Sequence, residues 1–420
     1  MERNRSGKLL QQFNRVRAAT EQITEGLTEE DMVLQSMPDA SPSKWHLAHT
    51  TWFFEEFVLA PYQPQFKAQN PEFGYLFNSY YEHVGKRHQR PLRGMLSRPS
   101  LKQVLSYRRE INEKLTQLLD SPLSSQSKML DLVELGLHHE MQHQELLLTD
   151  ILHALSLHPF HPQVKAGFQQ PSNPDVATLK FHQFDEAEIE IGTIDKVFHF
   201  DCEAPRHRII QQAFALSNRP VSNGDWLEFI NDRGYQTPTL WLSDGWARCQ
   251  EENWNTPLYW NNKEGQWFQY GLNGLRAIDL NSPVCHISYY EADAFARWAG
   301  CRLPREQEWE RAATQQQVAG NFLEQQQWRP RALATTSEKH PHQLFGDVWE
   351  WTQSSYSAYP GYQPAEGAVG EYNGKFMCGQ FVLRGGSCVT PIQQIRPSYR
   401  NFFYPHQRWQ FSGLRLAKDV

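Results

Sequence analysis

The hydrophobic pattern of the chain changes between Leu157 and Asp175, and this change limits the fold more than any other feature. Before it, apolar residues recur at helical spacing, whereas beyond it the sequence favours short strands and turns with frequent Gly and Pro. The segment between Leu157 and Asp175 is rich in His, Pro, Gln and Gly and has no hydrophobic periodicity, which is typical of a linker. The sequence therefore predicts an α+β multidomain protein, with a helical bundle over residues 1–160, a linker over 161–178 and a second domain over 179–420.

Four N-terminal segments have the pattern of packed helices. The first lies near the N-terminus, and the second is predicted to begin at Ser41-Pro42, a capping hydroxyl followed by a proline. The third covers Leu101 to Leu119, with its apolar residues on one stripe, and the fourth covers Ser127 to Leu155. A long aromatic and basic connection, residues 78–90, separates the second helix from the third. Because helix hairpins need far fewer residues, this connection is expected to be functional.

Charge and composition exclude several classes of protein. The formal net charge is -6 and no long Lys/Arg run occurs, so the chain lacks the basic patch of a nucleic-acid-binding protein. The first residues, Met1 to Lys8, are polar, and no stretch approaches the roughly 18 apolar residues of a membrane helix. A cytoplasmic protein without membrane contact is expected. The 6 cysteines contain no C-x-x-C pair, and we expect reduced, mostly buried thiols.

The sharpest local feature is the run His138-His-Glu-Met-Gln-His143 inside the fourth predicted helix. His139 and His143 are four positions apart, so their rings lie on one helix face and can share a metal ion. In a bundle the third ligand comes from a facing helix, and His49 in the second helix is the best candidate. Ligand type alone leaves the metal open, since imidazole binds zinc, iron, copper and nickel.

The same run also spells H-E-x-x-H, the zinc metalloprotease motif, with Glu140 as the general base. Two features count against that interpretation: the third ligand would lie upstream on another helix, and the second domain is large. Other zinc-dependent enzymes, such as a hydrolase or a thiol transferase, stay open. So does a binding module in which a metal-stabilised bundle supports a ligand-recognising domain.

Both halves of the chain contain short motifs, which are Ser41-Pro-Ser-Lys-Trp-His-Leu-Ala-His49, Tyr80-Tyr81, His139-Glu-Met-Gln-His143, Pro220-Val-Ser-Asn-Gly224, Arg302-Leu-Pro304, Gly346-Asp-Val-Trp-Glu-Trp-Thr352, Arg384-Gly-Gly-Ser387 and Phe411-Ser-Gly-Leu-Arg-Leu416. Together these motifs resemble the EgtB-type sulfoxide synthases, which form ergothioneine. The first half is similar to their DinB-like four-helix bundle, and the second half to their formylglycine-generating-enzyme-like, C-type-lectin-related α+β domain. Singly, the motifs of the second half mark a fold, and their combination with the histidine motifs is specific.

The resemblance implies Fe(II) as cofactor, bound by His49, His139 and His143. It implies two organic substrates, hercynine, the trimethylated betaine of histidine, and a thiol. Oxygen is the co-substrate, and the thiol is oxidised onto imidazole C2 of hercynine to give a sulfoxide. Three neutral imidazoles leave adjacent positions of the ion open, as oxygen-activating iron requires.

Three further residues match residues of the family near the metal. Gln142 matches the residue that hydrogen-bonds the substrate imidazole, although a solvated polar residue on a helix is the alternative. Tyr80 and Tyr81 match tyrosines that donate a proton in some members. A phenol, with a pKa near 10, stays neutral at pH 7 and is a suitable proton source.

The quaternary ammonium of hercynine has no N–H to donate, so aromatic faces are its natural receptor. Asn401, Phe402 and Phe403 lie where the family contacts the betaine. Trp349 and Trp351 are expected to be core residues, because related domains without this activity have the same aromatics.

The last loop departs from the family pattern. Members that use gamma-glutamylcysteine have an acidic residue followed four positions later by arginine, and these positions here are Phe403 and Gln407, with Arg408 next. Free cysteine is therefore the expected donor, and Arg408 is kept as a candidate substrate contact. Arg87 and Arg90 in the long connection are candidates for its carboxylate, and solvated loop charges are the alternative.

Other relatives differ in recognisable ways. Formylglycine-generating enzymes need two closely spaced cysteines near the Arg384-Gly-Gly-Ser387 motif, whereas this chain has only Cys388 there. Copper-dependent sulfatase activation is therefore not expected. The ovothiol branch usually has a C-terminal methyltransferase, whereas this chain ends with the lectin-like domain. A selenium-transferring relative stays open, because the motifs overlap.

Overall fold

The computed structural model describes residues 2–121, 126–166, 178–194, 197–333, 340–366 and 370–420. The chain divides into two compact units. The bundle unit comprises Met1–Val164 with Glu366–Glu371, and the sheet unit comprises Lys165–Ala365 with Tyr372–Val420. Most of the predicted linker over 161–178 lies outside the described residues, so its bounds stay a prediction.

The bundle unit is built around four long helices, which confirms the predicted architecture. Helix α1 packs on α5 and α6, and α2 packs on the same two helices. Two short helices, α3 and α4, lie in the connection between α2 and α5. The helices are α1 (Glu2–Gln22), α2 (Ser43–Phe54), α3 (Ala60–Tyr62), α4 (Phe73–Phe77), α5 (Leu101–Asp120) and α6 (Ser127–Ser156).

Helix α5 shows how local sequence sets these elements. A reciprocal capping box between Ser100 and Gln103 satisfies backbone donors at its start. Val104, Ile111, Leu115 and Leu118 are buried, as the periodicity predicts. The predicted stripe of apolar residues also includes Leu105, but the side chain of Leu105 is 38% exposed. That prediction is wrong because one residue turns a helix by about 100°.

Helix α2 begins one residue later than predicted, at Ser43 instead of Pro42. Pro42 is its N-cap, and no side chain caps the helix. The Ser41 hydroxyl instead accepts a hydrogen bond from Nη1 of Arg93 at 2.9 Å. All residues of α2 are buried, so its polar side chains must find partners inside the protein. This burial places His46 and His49 in the core of the bundle.

The sheet unit is an α+β assembly of short strands and helices. One four-stranded sheet has the order β10-β9-β8-β11, two three-stranded sheets have the orders β1-β4-β12 and β5-β6-β7, and β2 pairs with β3. The elements are β1 (Phe181–Phe184), β2 (Ala187–Ile191), β3 (His207–Gln211), β4 (Phe214–Ser217), α7 (Asn223–Asn231), α8 (Ser243–Glu251), β5 (Trp260–Lys263), β6 (Gln266–Gly271), β7 (Gly274–Ala277), α9 (Tyr289–Trp298), α10 (Glu306–Ala313), β8 (Trp349–Ser355), β9 (Phe381–Arg384), β10 (Asn401–Phe403), β11 (Ser412–Leu414) and β12 (Ala417–Asp419).

The motifs of the second half make internal contacts in the sheet unit. Trp349 and Trp351 on β8 are buried in the core, as expected. Between them, Glu350 accepts hydrogen bonds from Arg415 and from the indole N–H of Trp309. A buried carboxylate held by a guanidinium is costly to leave unpaired, so these residues depend on one another. The motifs therefore mark the fold.

Two expectations from composition can be compared with the structure. All 6 cysteines are free thiols, and 4 of them are buried, which confirms the prediction of reduced, mostly buried cysteines. Among the described residues, no helix is long and apolar enough to cross a membrane.

Candidate metal centre

Three histidines from two helices meet in the core of the bundle unit. His49 comes from α2, and His139 and His143 come from successive turns of α6. One ligating nitrogen from each ring lies within 4.8 Å of the other two. Their exposures are only 0%, 1% and 9%, so the cluster is buried. The three predicted ligands are thus brought together.

The hydrogen bonds of the rings decide which nitrogens face one another. Nδ1 of His49 lies 2.6 Å from the carbonyl oxygen of Phe77, so Nδ1–H donates and Nε2 keeps a lone pair. Nδ1 of His143 lies 2.8 Å from Nδ1 of His46, which leaves Nε2 of His143 for a metal. Nε2 of His49 is 3.1 Å from Nε2 of His139. Two imidazoles bound at about 2.0–2.1 Å to one ion would place their nitrogens roughly 3.0–3.4 Å apart.

The environment keeps the three imidazoles neutral. Burial lowers the pKa of His139 to about 3. Burial also lowers the pKa of His49 and of His143 well below the usual value, and the neighbouring histidines lower both further. Metal binding requires the deprotonated imidazole, so the ligands are in the correct form at pH 7. This donor set fits a divalent transition-metal ion.

Three protein ligands would leave coordination positions of a bound ion open. Among the described residues, the group of His, Cys, Asp and Glu that could hold an ion contains only the three histidines. A structural zinc site is closed by four protein ligands, whereas a catalytic site keeps positions for water or substrate. The arrangement is therefore suited to binding small molecules at the ion.

Aromatic rings enclose the histidines. Trp45 is stacked on His49 with centroids 4.5 Å apart, and Trp52 lies 5.8 Å from the same ring. Tyr81 is fully buried and lies 6.0 Å from Trp52. Tyr80 lies 4.6 Å from Tyr81. The predicted tyrosines therefore continue the aromatic wall that begins at the metal ligands.

Glu140 is not positioned as the base of an H-E-x-x-H hydrolase. Its carboxylate accepts hydrogen bonds from Arg17 at 2.8 Å, Thr20 at 2.6 Å and Arg108 at 2.5 Å. Burial would raise the pKa of Glu140, but the charges of Arg108 and Arg17 outweigh burial and lower it to about 2. A carboxylate held by two guanidiniums is a poor proton acceptor, so Glu140 ties α6 to α1 and α5.

Arg93 is a cationic residue of this site that the sequence analysis did not single out. Its guanidinium lies 3.5 Å from the ring centroid of Trp45, on which His49 is stacked, and its side chain is 3% exposed. Among the described residues no carboxylate forms an ion pair with it, and its Nε has no hydrogen-bond partner. Burial, with the charges of Arg90 and Arg87, lowers the pKa of Arg93 well below its usual value. A buried cation of this kind favours an anionic ligand.

Family models match both halves of the chain. Residues 12–147 match the DinB superfamily, and residues 183–420 match the sulfatase-modifying factor enzyme 1-like domain. A hercynine oxygenase of Mycolicibacterium smegmatis is 32% identical over 418 residues, which cover 92% of this chain and 93% of that protein. The chain belongs to the hercynine oxygenase family.

Two further relatives agree with this assignment. A hercynine oxygenase of Mycobacterium tuberculosis is 30% identical over 97% of each chain. Ergothioneine biosynthesis protein 1 of Schizosaccharomyces pombe is 29% identical over 54% of this chain and 28% of its own. The predicted family and the predicted fold class, a DinB-like bundle followed by a formylglycine-generating-enzyme-like domain, are confirmed.

The remaining candidate residues of the bundle unit differ in how exposed their side chains are. Gln142 precedes His143 on α6 and is partly exposed. Arg87 is exposed and pairs with Glu82 at 2.7 Å. Arg90 is exposed and donates to the backbone carbonyl of Asp39. The proposed substrate contacts of these residues stay predictions.

The candidates in the sheet unit lie in or near β10. Asn401, Phe402 and Phe403 form that strand and are partly exposed. Phe402 is stacked on Tyr356 with centroids 4.1 Å apart. Arg408 is 7% exposed and pairs with Glu291 at 3.3 Å. The contact of these residues with substrate stays a prediction.

Proposed function

We propose that this chain is an Fe(II)- and O2-dependent hercynine oxygenase that joins the sulfur of cysteine to imidazole C2 of hercynine and releases a sulfoxide. The family assignment supports the hercynine substrate, because two relatives are named hercynine oxygenase and a third is named for ergothioneine biosynthesis. The open three-histidine centre beside the buried Arg93 supports a metal-dependent reaction with an anionic partner.

The proposed reaction balances with one molecule of oxygen. The C2–H bond of hercynine and the S–H bond of cysteine break, and a C–S bond forms, which removes two electrons. Conversion of the sulfur to a sulfoxide removes two more and takes up one oxygen atom. The other oxygen atom leaves as water with the two released protons, so no external reductant is needed.

When bound, iron supplies the one-electron chemistry with oxygen that side chains lack, and it lowers the pKa of a bound thiol. The three imidazoles add no negative charge, so the ion keeps its full attraction for a thiolate. Trp45 and Trp52 pack against the ring of His49, and the buried Tyr81 packs against Trp52, so these side chains would limit the access of bulk water to the histidines. Exclusion of water protects a reactive intermediate from side reactions.

Arg93 is proposed to hold the carboxylate of cysteine. Its Nη1 donates to Ser41, and its plane rests on Trp45, so the guanidinium has a fixed orientation. Its Nε is buried without a partner among the described residues, which leaves a donor for a carboxylate oxygen. A fixed guanidinium binds a carboxylate with directed, charge-assisted hydrogen bonds, which would orient the thiol toward the histidines.

Tyr80 and Tyr81 are the proposed proton donors in the reaction with oxygen. Gln142 is proposed to form a hydrogen bond with the imidazole of hercynine. Burial keeps Tyr81 in one place, and Tyr80 packs against it at 4.6 Å. A neutral phenol at a fixed position can release a proton where charge develops. Which of the two phenols donates is a question for substitution experiments.

Cysteine is the proposed thiol because the last loop lacks charges for a glutamyl group. Phe403 stands where an acidic residue is expected, and Gln407 stands where an arginine is expected. Oε1 of Gln407 already accepts the backbone N–H of Tyr404 at 3.0 Å. The nearby Arg408 is paired with Glu291. The loop therefore departs from the pattern of the members that use gamma-glutamylcysteine.

A product assay tests the proposal. Metal-free protein is loaded anaerobically with Fe(II) and mixed with hercynine and either cysteine or gamma-glutamylcysteine, and oxygen is then admitted. We expect mass spectrometry to detect a hercynyl-cysteine sulfoxide only with iron and oxygen, and faster product formation with cysteine. Product formation with Zn(II) or without oxygen would contradict the proposal. If a filled iron site gives no adduct with either thiol, the proposed substrate pair is wrong, and a selenium donor is the next to test.

A further inference from the structure

A buried row of hydrogen bonds runs from one metal ligand to a carboxylate. Nδ1 of His143 lies 2.8 Å from Nδ1 of His46, and Nε2 of His46 lies 3.1 Å from Oδ2 of Asp150. The three side chains are 9%, 2% and 5% exposed. This His143–His46–Asp150 row differs from the contact of His49, whose ring donates directly to the carbonyl of Phe77.

The spacing of the residues explains why the row forms. His143 and Asp150 are seven positions apart on α6, which places them two turns apart on the same face. His46 lies one turn before His49 on α2, which packs on α6. The backbone N–H of Ser41 also donates to Oδ2 of Asp150 at 2.8 Å and fixes the carboxylate. Both ends of the row are therefore anchored by helices.

When both rings are neutral, one arrangement of protons lets His143 bind a metal through Nε2. If Nε2 of His143 offers a lone pair to the ion, its Nδ1 must carry hydrogen and donate to His46. Nδ1 of His46 is then the acceptor, so its Nε2 carries hydrogen and donates to Asp150. Every donor in the row has an acceptor in this arrangement. The carboxylate thus fixes the tautomer of the ligand through the intervening ring.

We propose that His46 and Asp150 are positioning residues that hold His143 in its metal-binding tautomer and increase its basicity as a ligand. This inference rests on the proposed metal site of the enzyme and assigns a role to two residues outside the ligand set. Side chains that accept a hydrogen bond from a metal-bound imidazole orient the ring and strengthen metal binding. An anionic partner makes an imidazole a better electron donor, which stabilises the oxidised ion relative to the reduced one.

Three substitutions separate the parts of the row. His46→Phe keeps a ring but removes the acceptor for Nδ1–H of His143. His46→Asn places an amide oxygen near the former Nδ1, so it restores an acceptor without the link to the carboxylate. Asp150→Asn keeps an acceptor for His46 but removes the negative charge. Gln144→Met is the matched control, because Gln144 is buried beside His143 and its amide donates to α1, at Val16 and Thr20.

The experiment measures metal binding without turnover. Metal-free proteins are titrated with Co(II) and Fe(II) against a competing chelator, the visible spectrum of the Co(II) form is recorded, and the Fe(III)/Fe(II) potential is determined. We expect His46→Phe to weaken binding about 10- to 100-fold and to change the Co(II) spectrum. His46→Asn should recover most of the affinity. Asp150→Asn should raise the potential, and Gln144→Met should match the unchanged protein.

The outcomes distinguish this inference from the proposed function. If the unchanged protein binds no metal, both are overturned. If it binds iron but the His46 and Asp150 variants match it in affinity, spectrum and potential, only the positioning role is overturned. If His46→Phe does not fold, the His46→Asn and Asp150→Asn comparisons still decide, because an unchanged spectrum and potential in both would contradict the role.

Discussion

Replacement of Glu140 by glutamine distinguishes a structural carboxylate from a catalytic one. In the native bundle unit this carboxylate lies 2.8 Å from Nη1 of Arg17 and 2.5 Å from Nη2 of Arg108, and the side chains of the three residues are at most 2% exposed. Glu140→Gln keeps the volume but leaves two buried guanidiniums without their shared anion. Removal of one partner from a buried ion pair typically costs about 3–5 kcal/mol, and we expect a loss of this size.

The control for this substitution lies on the same helix. Glu134 pairs with Arg5 at 2.7 Å, but both side chains are about one third exposed, at 28% and 33%. Glu134→Gln should therefore cost less than about 1 kcal/mol. Because the protein has two units, urea unfolding is best followed by hydrogen exchange of α6 peptides, which report on the bundle unit alone.

Two results would contradict a structural role for the Glu140 carboxylate. If Glu140→Gln changes the free energy of unfolding of the bundle unit by less than about 1 kcal/mol, the buried ion pairs contribute little to stability. A variant that folds normally, binds iron and loses turnover would show that the carboxylate acts in chemistry. A destabilised variant that keeps turnover when folded is the predicted outcome.

Three further predictions concern the site. Arg93→Met should raise the KM for cysteine about 10- to 100-fold through loss of a charge-assisted contact, whereas Lys86→Met, at an exposed cation of the same connection, should change it less than twofold in steady-state kinetics. Tyr80→Phe and Tyr81→Phe should differ in the ratio of sulfoxide to oxidised thiol measured by mass spectrometry, and equal ratios in both variants and the native protein would exclude a proton donor among them. The pKa of His139 is lowered in the folded state, so the unfolded state binds more protons below pH about 6.5 and metal-free stability falls as pH falls toward 3. His139→Ala should therefore reduce the slope of unfolding free energy against pH by about 1.4 kcal/mol per unit between pH 4 and 6 in urea titrations, and an unchanged slope would contradict a buried neutral imidazole.

The meeting of the three histidines could be predicted because these residues obey helix geometry. His139 and His143 are one turn apart, and the facing helix offered His49 on a buried face. The capping box at Ser288 and Glu291 was likewise predictable, because both of its hydrogen bonds are local. Periodicity and capping depend on near neighbours in sequence, so one sequence suffices to find them.

Other parts of the site depend on tertiary contacts that sequence does not show. Arg93 follows a connection rich in basic residues, and nothing in its pattern distinguishes a buried guanidinium from the exposed Arg87 and Arg90. In the sequence, Ser41 has the pattern of a helix cap, but in the structure its hydroxyl accepts a hydrogen bond from Arg93. The seven-residue spacing of His143 and Asp150 indicates that both lie on one face of α6. Only the tertiary structure shows that His46 links them by hydrogen bonds.

The most direct test of the account is a single-turnover experiment in which bound iron and product are counted in the same sample. Protein loaded with increasing Fe(II) is mixed with hercynine and cysteine, exposed to oxygen and quenched, and His143→Ala is treated identically. We expect the amount of sulfoxide to be proportional to the iron bound at the three histidines. We expect neither tight iron binding nor product in His143→Ala. Full product formation by His143→Ala, or by native protein free of iron, would contradict the account.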